Sequence, residues 1–191
     1  MTKSFTVIEL SSFELEKLLE RDDVGEYGCD LMKKAVGDLM KEIFGIQVSH
    51  LFGNKVFCYV KGSEWSGEKL AIVLSVRASL LCGLPLYFKS RIRVLDTELD
   101  LGKYRKESAL YVLRDCVNKL IVSRLQKSMG REEAKLEVLS LNWEQSVRML
   151  ESRLKINIEG LPLWQKEGVF LERQGEEIKE VRGGDVKWED L

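Results

Sequence analysis

The chain has little of what marks several function classes. Among its 191 residues there is one histidine, His50, and there are two prolines, Pro85 and Pro162. A single imidazole speaks against His-based metal clusters and against the usual triads, which need a nucleophile and an orienting partner beside the base. His50, in Val48-Ser49-His50-Leu51, has no such signature next to it and reads as a structural histidine. The four cysteines, Cys29, Cys58, Cys82 and Cys116, are far apart and form no C-x-x-C pair. Paired ligands from one turn are the usual mark of a structural zinc site, so these thiols are expected to be reduced, small core hydrophobes. Neither G-x-G-x-x-G nor a P-loop pattern occurs, and no cofactor is expected.

Long apolar runs are also missing. Nothing approaches the length of a membrane-spanning helix. The apolar run Thr6–Leu10 is too short for the core of a signal peptide, and the end, Trp188-Glu189-Asp190-Leu191, carries no lipidation signal. The expected location is therefore the cytoplasm, with no membrane partner. An excess of one charge is absent too: 30 basic and 31 acidic residues leave a formal charge of -1. A general electrostatic binder of nucleic acid carries net positive charge, so any such role has to rest on a local patch.

What is present is enough for a folded domain. Hydrophobic residues make up 45% of the chain, too many for a disordered tail, and charged residues 32%, too many for a membrane protein. Scarce proline with abundant Glu, Lys and Arg gives a thermophile-like composition.

Periodicity divides the chain into elements. Residues 5–10 read as a strand, and Ser11-Ser12-Phe13-Glu14 as a capping box with Leu10 and Leu15 as its staple, opening a helix over 12–21. A second helix is expected from a cap at Asp23, with Tyr27, Met32, Val36, Leu39 and Phe44 on its stripe and Gly45 as its stop. The β-rich runs 46–52 and 55–61 flank Gly53-Asn54, a hairpin signal. Leu70–Val76, apolar on both faces, predicts a central strand, and another strand is expected over 86–94. A long helix over 103–129 follows, with Leu110, Leu113, Val117, Ile121 and Leu125 buried and Gly130 ending it. Ala134–Leu141 reads as a strand, and Asn142 with Gln145 as the cap of a further helix. Short strands near 155–159, 168–173 and 176–181 finish the domain. Gly83-Leu84-Pro85-Leu86-Tyr87 echoes Gly160-Leu161-Pro162-Leu163-Trp164, which reads as shared turn chemistry more readily than as a duplication.

The expected architecture is α+β, an antiparallel β-meander packed against helices with one long central helix. It comprises a single domain over 1–182 and a mobile tail over 183–191.

One stretch carries candidate chemistry. In a strand, Tyr87, Lys89, Arg91 and Arg93 share one face, while Phe88, Ile92 and Val94 share the other and pack on the core. Cations and an aromatic on one sheet face suit phosphates and a base. The competing expectation is that Asp96, Glu98 and Asp100, which also alternate, fold back and neutralise the cations across a hairpin. The same three carboxylates are a weak candidate for a divalent cation and hence for a metal-dependent enzyme. Trp65, within the turn-like loop 62–67, is a candidate anchor for a partner.

With no local constellation of nucleophile, base and metal, the functional expectation is a non-catalytic cytosolic binding or assembly protein. Its partner would be another protein or a second copy of itself. The alternative is a module that binds RNA or single-stranded DNA through the 87–93 face.

Overall fold

The structure, a computed structural model, describes residues 4–19, 25–61 and 65–186. In chain order the elements are β1 (Phe5–Ser11), α1 (Phe13–Leu19), α2 (Gly25–Glu42), β2 (Ile46–Phe52), β3 (Lys55–Lys61) and α3 (Gly67–Cys82). Then come β4 (Lys89–Leu95), α4 (Glu98–Leu125), α5 (Arg131–Leu139), α6 (Trp143–Arg148), α7 (Leu163–Lys166), β5 (Val169–Gln174) and β6 (Glu177–Val181). Among the described residues the strands form one antiparallel sheet in the order β4-β1-β3-β2-β5-β6. This is the expected α+β class, with α4, 28 residues long, as its central helix. Among the described residues no helix is long and apolar enough to cross a membrane.

The sheet has two covered faces. On one, Ile8 and Leu10 of β1, Val56, Cys58 and Val60 of β3, and Leu171 of β5 pack against α2 and α3 through Val36, Leu39, Met40, Leu70, Leu74 and Ala78. On the other, Phe5, Val7, Phe52, Phe57 and Tyr59 meet Leu101 and Val112 of α4. The second half of α4 leaves the sheet and builds a separate core with α5 and α6, from Val117, Ile121, Leu125, Ala134, Val138 and Leu150. Alternation along β1 and β3 sends neighbouring side chains into the first two of these cores, which is why both strands read as apolar throughout.

Several elements differ from the sequence reading. Leu70–Val76 is not a strand but the middle of α3, opened by Ser66, whose side chain accepts from the Lys69 amide, and closed at Gly83 with φ 65°. The run is apolar on both faces because α3 buries Leu70, Ala71, Leu74 and Ala78 and leaves Ile72, Val76 and Leu80 exposed. Ala134–Leu141 is likewise helix over most of its length. Ala134, Leu136 and Val138 alternate, but it is the i,i+4 pair Ala134 and Val138 that is buried, while Leu136 and Leu139 are exposed. No strand occupies 155–159, where a turn of 3-10 helix covers Ile158–Gly160. The long helix starts earlier than expected because Thr97 caps it, and Gly130 opens α5 instead of ending α4.

On α4 Val117, Ile121 and Leu125 are buried as expected, Leu113 is half-buried, and Leu110 is exposed. Tyr27 of α2 is exposed, and Phe44, expected on the same stripe, lies exposed in the turn after the helix, beneath the Arg173 guanidinium. The α1 cap sits one residue later than read: the Leu15 amide donates to Ser12 Oγ at 3.2 Å. The Asn142–Gln145 capping box forms as expected. The two Gly-Leu-Pro-Leu segments part company, since Leu86 lies outside any helix or strand in the stretch before β4 and Leu163 begins α7, so their likeness does not extend to structure. The cap at Asp23 and residues 187–191 of the expected tail lie outside the described residues. Residues 183–186 are described, and Val186 is buried in the second core.

Candidate nucleic-acid interface

Residues facing each other across antiparallel strands project to the same side of the sheet. β4 pairs with β1 so that Arg93 faces Val7, Arg91 faces Glu9 and Lys89 faces Ser11, and β1 pairs with β3 so that Val7 faces Tyr59, Glu9 faces Phe57 and Ser11 faces Lys55. Lys89, Arg91 and Arg93 therefore stand on the face that carries α4. All three are exposed, because β4 is the edge strand and α4 crosses the interior strands of the sheet. The result is a groove with the cations of β4 on one side and α4 on the other.

Two serines of α3 hold the approach to β4. The Leu86 amide donates to Ser79 Oγ at 2.8 Å, Ser79 Oγ donates to the Leu86 carbonyl at 3.2 Å, and the Phe88 amide donates to Ser75 Oγ at 2.9 Å. Leu86 and Phe88 are thereby buried, and Tyr87 between them is turned outward, 67% exposed. Beyond Phe88 the inner face of β4 departs from expectation: Ile92 and Val94 are exposed, although Ile92 lies beside Gly67 at the start of α3.

The floor and far wall come from β1, β3 and α4. Lys55 Nζ lies 2.5 Å from Glu9 Oε1, both side chains being largely buried, and 4.9 Å from the ring centre of Tyr111. Tyr104, one α4 face with Tyr111, meets Phe57 edge-on with ring centres 6.5 Å apart. Burial, then the Glu9 charge, raises the Tyr104 hydroxyl above its ordinary pKa, while Arg93 and Arg91 oppose the rise. At the groove's end the β1–α1 turn is laced to the β2–β3 hairpin: the Ser12 amide donates to the Asn54 carbonyl at 3.2 Å and Asn54 Nδ2 to the Ser12 carbonyl at 3.4 Å.

The acidic run does not neutralise the basic strand. Asp96 and Thr97 form the turn after β4, and Glu98 and Asp100 lie in the first turn of α4. There Thr97 Oγ1 accepts from the Asp100 amide at 3.1 Å and donates to Asp100 Oδ2 at 2.7 Å. These carboxylates complement the helix N-terminus. The strand partner of the cations is β1, where Glu9 is the one carboxylate opposite them. The premise of a metal site on three same-face carboxylates fails with the strand. Among the described residues no group of three His, Cys, Asp or Glu could hold a metal ion.

The other residues singled out in the sequence lie elsewhere. Trp65 is half-buried, packed on the first core with its ring against Gly45. His50 is buried, stacked on Phe170 with ring centres 3.9 Å apart, and its Nε2 donates to the Glu167 carbonyl at 2.8 Å. Burial pushes its pKa down to about 4. The four cysteines are free, and burial pushes the Cys58 thiol up to about 12. Lys55, Tyr104 and Tyr111 were not singled out by sequence, because a lysine in a strand and tyrosines in a long helix leave no local signal of their convergence.

No family model matches the sequence, and a search of curated proteins returns no match. Solved structures do match. The fold is similar to that of a bacterial tRNA(His) guanylyltransferase-like protein in complex with ATP, with TM-score 0.74 and 10% identity, covering 95% of this chain and 84% of that one. It is similar to tRNA(His) guanylyltransferase from Saccharomyces cerevisiae, with TM-score 0.76 and 14% identity, covering 100% of this chain and 93% of that one. A bacterial tRNA(His) guanylyltransferase-like protein in complex with GTP matches with TM-score 0.57 and 12% identity over 97% of this chain and 84% of that one. These likenesses establish the fold. They overturn the expectation of a non-catalytic protein-assembly factor, since the solved proteins that share the fold are by name transferases of tRNA, and they favour the nucleic-acid alternative.

Proposed function

We propose that this chain acts on RNA, a tRNA or another structured RNA, and holds its backbone with Tyr87, Lys89, Arg91 and Arg93. The observation that carries the reading is the row of three exposed cations on one face of β4, none of which has an ion-pair partner among the described residues. Their alternate spacing puts successive charges about 6.6 Å apart along an open edge, where successive phosphates are met without closing the strand against other protein. With a net charge of -1 the molecule as a whole does not attract RNA, so the patch has to do so. Fold similarity to guanylyltransferases of tRNA supports RNA as the polyanion. The reading includes a single domain over 1–182 and a cytoplasmic location.

The test is binding of a tRNA transcript by the wild type and by a Lys89→Glu/Arg93→Glu variant across a salt series. These two positions face Ser11 and Val7, so the reversal sets no new carboxylate opposite Glu9. Wild-type affinity should fall steeply with salt. The variant should lose affinity at least about tenfold and show a slope shallower by about 2, at nearly unchanged melting temperature. Equal affinity in wild type and variant would sink the proposal.

Nucleotidyl transfer onto the bound RNA is the second reading, favoured by the likeness to structures in complex with ATP and GTP. Phosphoryl chemistry on a triphosphate ordinarily uses divalent cations held by carboxylates. The groove does not fit such a cation: Glu9 on its floor is taken up by Lys55 at 2.5 Å and stands opposite Arg91. The reading therefore ranks second. It is tested by incubating the protein with tRNA, Mg²⁺ and radiolabelled GTP or ATP. Label carried by RNA on a denaturing gel supports transfer, and bound but unlabelled RNA leaves binding as the function.

A further inference from the structure

We infer that the groove takes the single-stranded end of an RNA and stacks an unpaired base on Tyr111. The inference rests on the RNA reading above and adds what kind of RNA the site selects. Tyr111 lies on α4 and is 61% exposed, so it contributes little to the core beneath it. It is nonetheless held: Lys55 Nζ sits 4.9 Å from the ring centre and is itself fixed at 2.5 Å from Glu9 Oε1. One face of the ring is occupied by a cation, and the ring is pre-oriented before anything binds, which lowers the entropic cost of using its other face.

The position of the ring fits a strand that leaves the basic edge and ends. Lys55 shares a cross-strand row with Ser11 and Lys89, so it stands two strand spacings, about 10 Å, from the last cation of β4. A nucleotide or two covers that distance. Arg114, exposed one turn further along α4, and Lys89, in the same cross-strand row as Lys55, add positive charge to the elements that carry the site. Cations that track a backbone next to an aromatic open on one face are the two parts of a single-strand platform. A duplex does not use such a ring, because its bases are stacked on one another and only its backbone and groove edges reach a protein surface.

Fluorescence anisotropy with two labelled RNAs tests this, a blunt-ended hairpin and the same hairpin bearing a short unpaired extension. The full chain is used, as wild type, Tyr111→Ala and Tyr111→Trp. Wild type should bind the extended hairpin about tenfold more tightly than the blunt one. Tyr111→Ala should lose that advantage while keeping its affinity for the blunt hairpin, its salt dependence and its melting temperature. Tyr111→Trp should retain the advantage. Equal affinity of wild type for the two RNAs overturns the stacking inference and leaves the RNA reading intact, as does an advantage that survives Tyr111→Ala. Failure of wild type to bind either RNA overturns both.

Discussion

At the scale of single residues, the chain's one histidine is a structural part and not a base. His50 is buried among Phe52, Phe57 and Phe170, and a carbonyl can only accept, so the proton on Nε2 is committed to Glu167. Burial is the main reason its pKa falls to about 4, with the Glu167 carbonyl opposing and Arg105 assisting. The unfolded chain, with an ordinary histidine near 6.5, binds the proton first. The stability that His50 contributes is thus fully present above about pH 6.5 and is lost as pH falls toward 4. The wild type should lose roughly 2–4 kcal/mol more than His50→Gln over that interval in denaturant titrations. Parallel loss in both proteins would show that the imidazole is not what titrates. Gly168 belongs to the same site: its φ is +78°, and a Cβ there would lie 2.5 Å from both His50 Nε2 and the Leu51 carbonyl. Gly168→Ala should therefore cost more stability than an ordinary surface substitution, read as a lowered midpoint.

At the scale of elements, the edge strand depends on the helix beneath it. Ser79 satisfies both backbone groups of buried Leu86, and Ser75 satisfies the amide of Phe88. Ser79→Ala leaves the Leu86 amide and carbonyl without that partner, and unfolding free energy should drop by about 1–3 kcal/mol. Because Leu86 and Phe88 set the outward turn of Tyr87, the same substitution should weaken RNA binding, whereas a change of stability with unaltered binding would separate Tyr87 from the interface. Similar logic applies to the C-terminus of α2, where the Arg173 guanidinium donates to the carbonyls of Met40, Ile43 and Ile46, the last at 3.2 Å from Nε. A side chain from β5 there closes a helix end that its own sequence leaves open.

At the scale of the whole molecule, α4 belongs to two cores. Its first half packs on the sheet through Leu101 and Val112, and its second half packs on α5 and α6 through Val117, Ile121 and Leu125. A helix shared in this way couples the two. Ile121→Ala, a truncation at a fully buried site, should destabilise by about 2–5 kcal/mol. Tryptophan fluorescence and far-ultraviolet circular dichroism should still report one coincident transition, and two separated transitions in the variant would show that the helical core unfolds on its own. The same helix forms the far wall of the groove, so the proposed RNA site is assembled from β1, β3, β4 and α4 together and belongs to no single element.

What the sequence determined by itself is what local chemistry decides. The β2–β3 hairpin follows from Gly53-Asn54 between two β-rich runs, α2 and α4 from their 3.6-residue stripes, the α6 cap from Asn142 and Gln145, and the common face of Lys89, Arg91 and Arg93 from the alternation of any strand. Tertiary structure decided everything that depends on which surface an element meets. Leu70–Val76 satisfies the apolar demands of a central strand and of a half-covered helix equally, and only the packing of α3 on α2 and the sheet separates them. Whether the basic strand faces acids or solvent was likewise a matter of pairing: β4 adds to β1, far away in sequence, and the nearby acids are drawn into the first turn of α4 instead. Lys55, Glu9 and Tyr111 converge from two strands and a helix that are distant along the chain, and no spacing in the sequence encodes a distance that arises only when the sheet closes beneath α4.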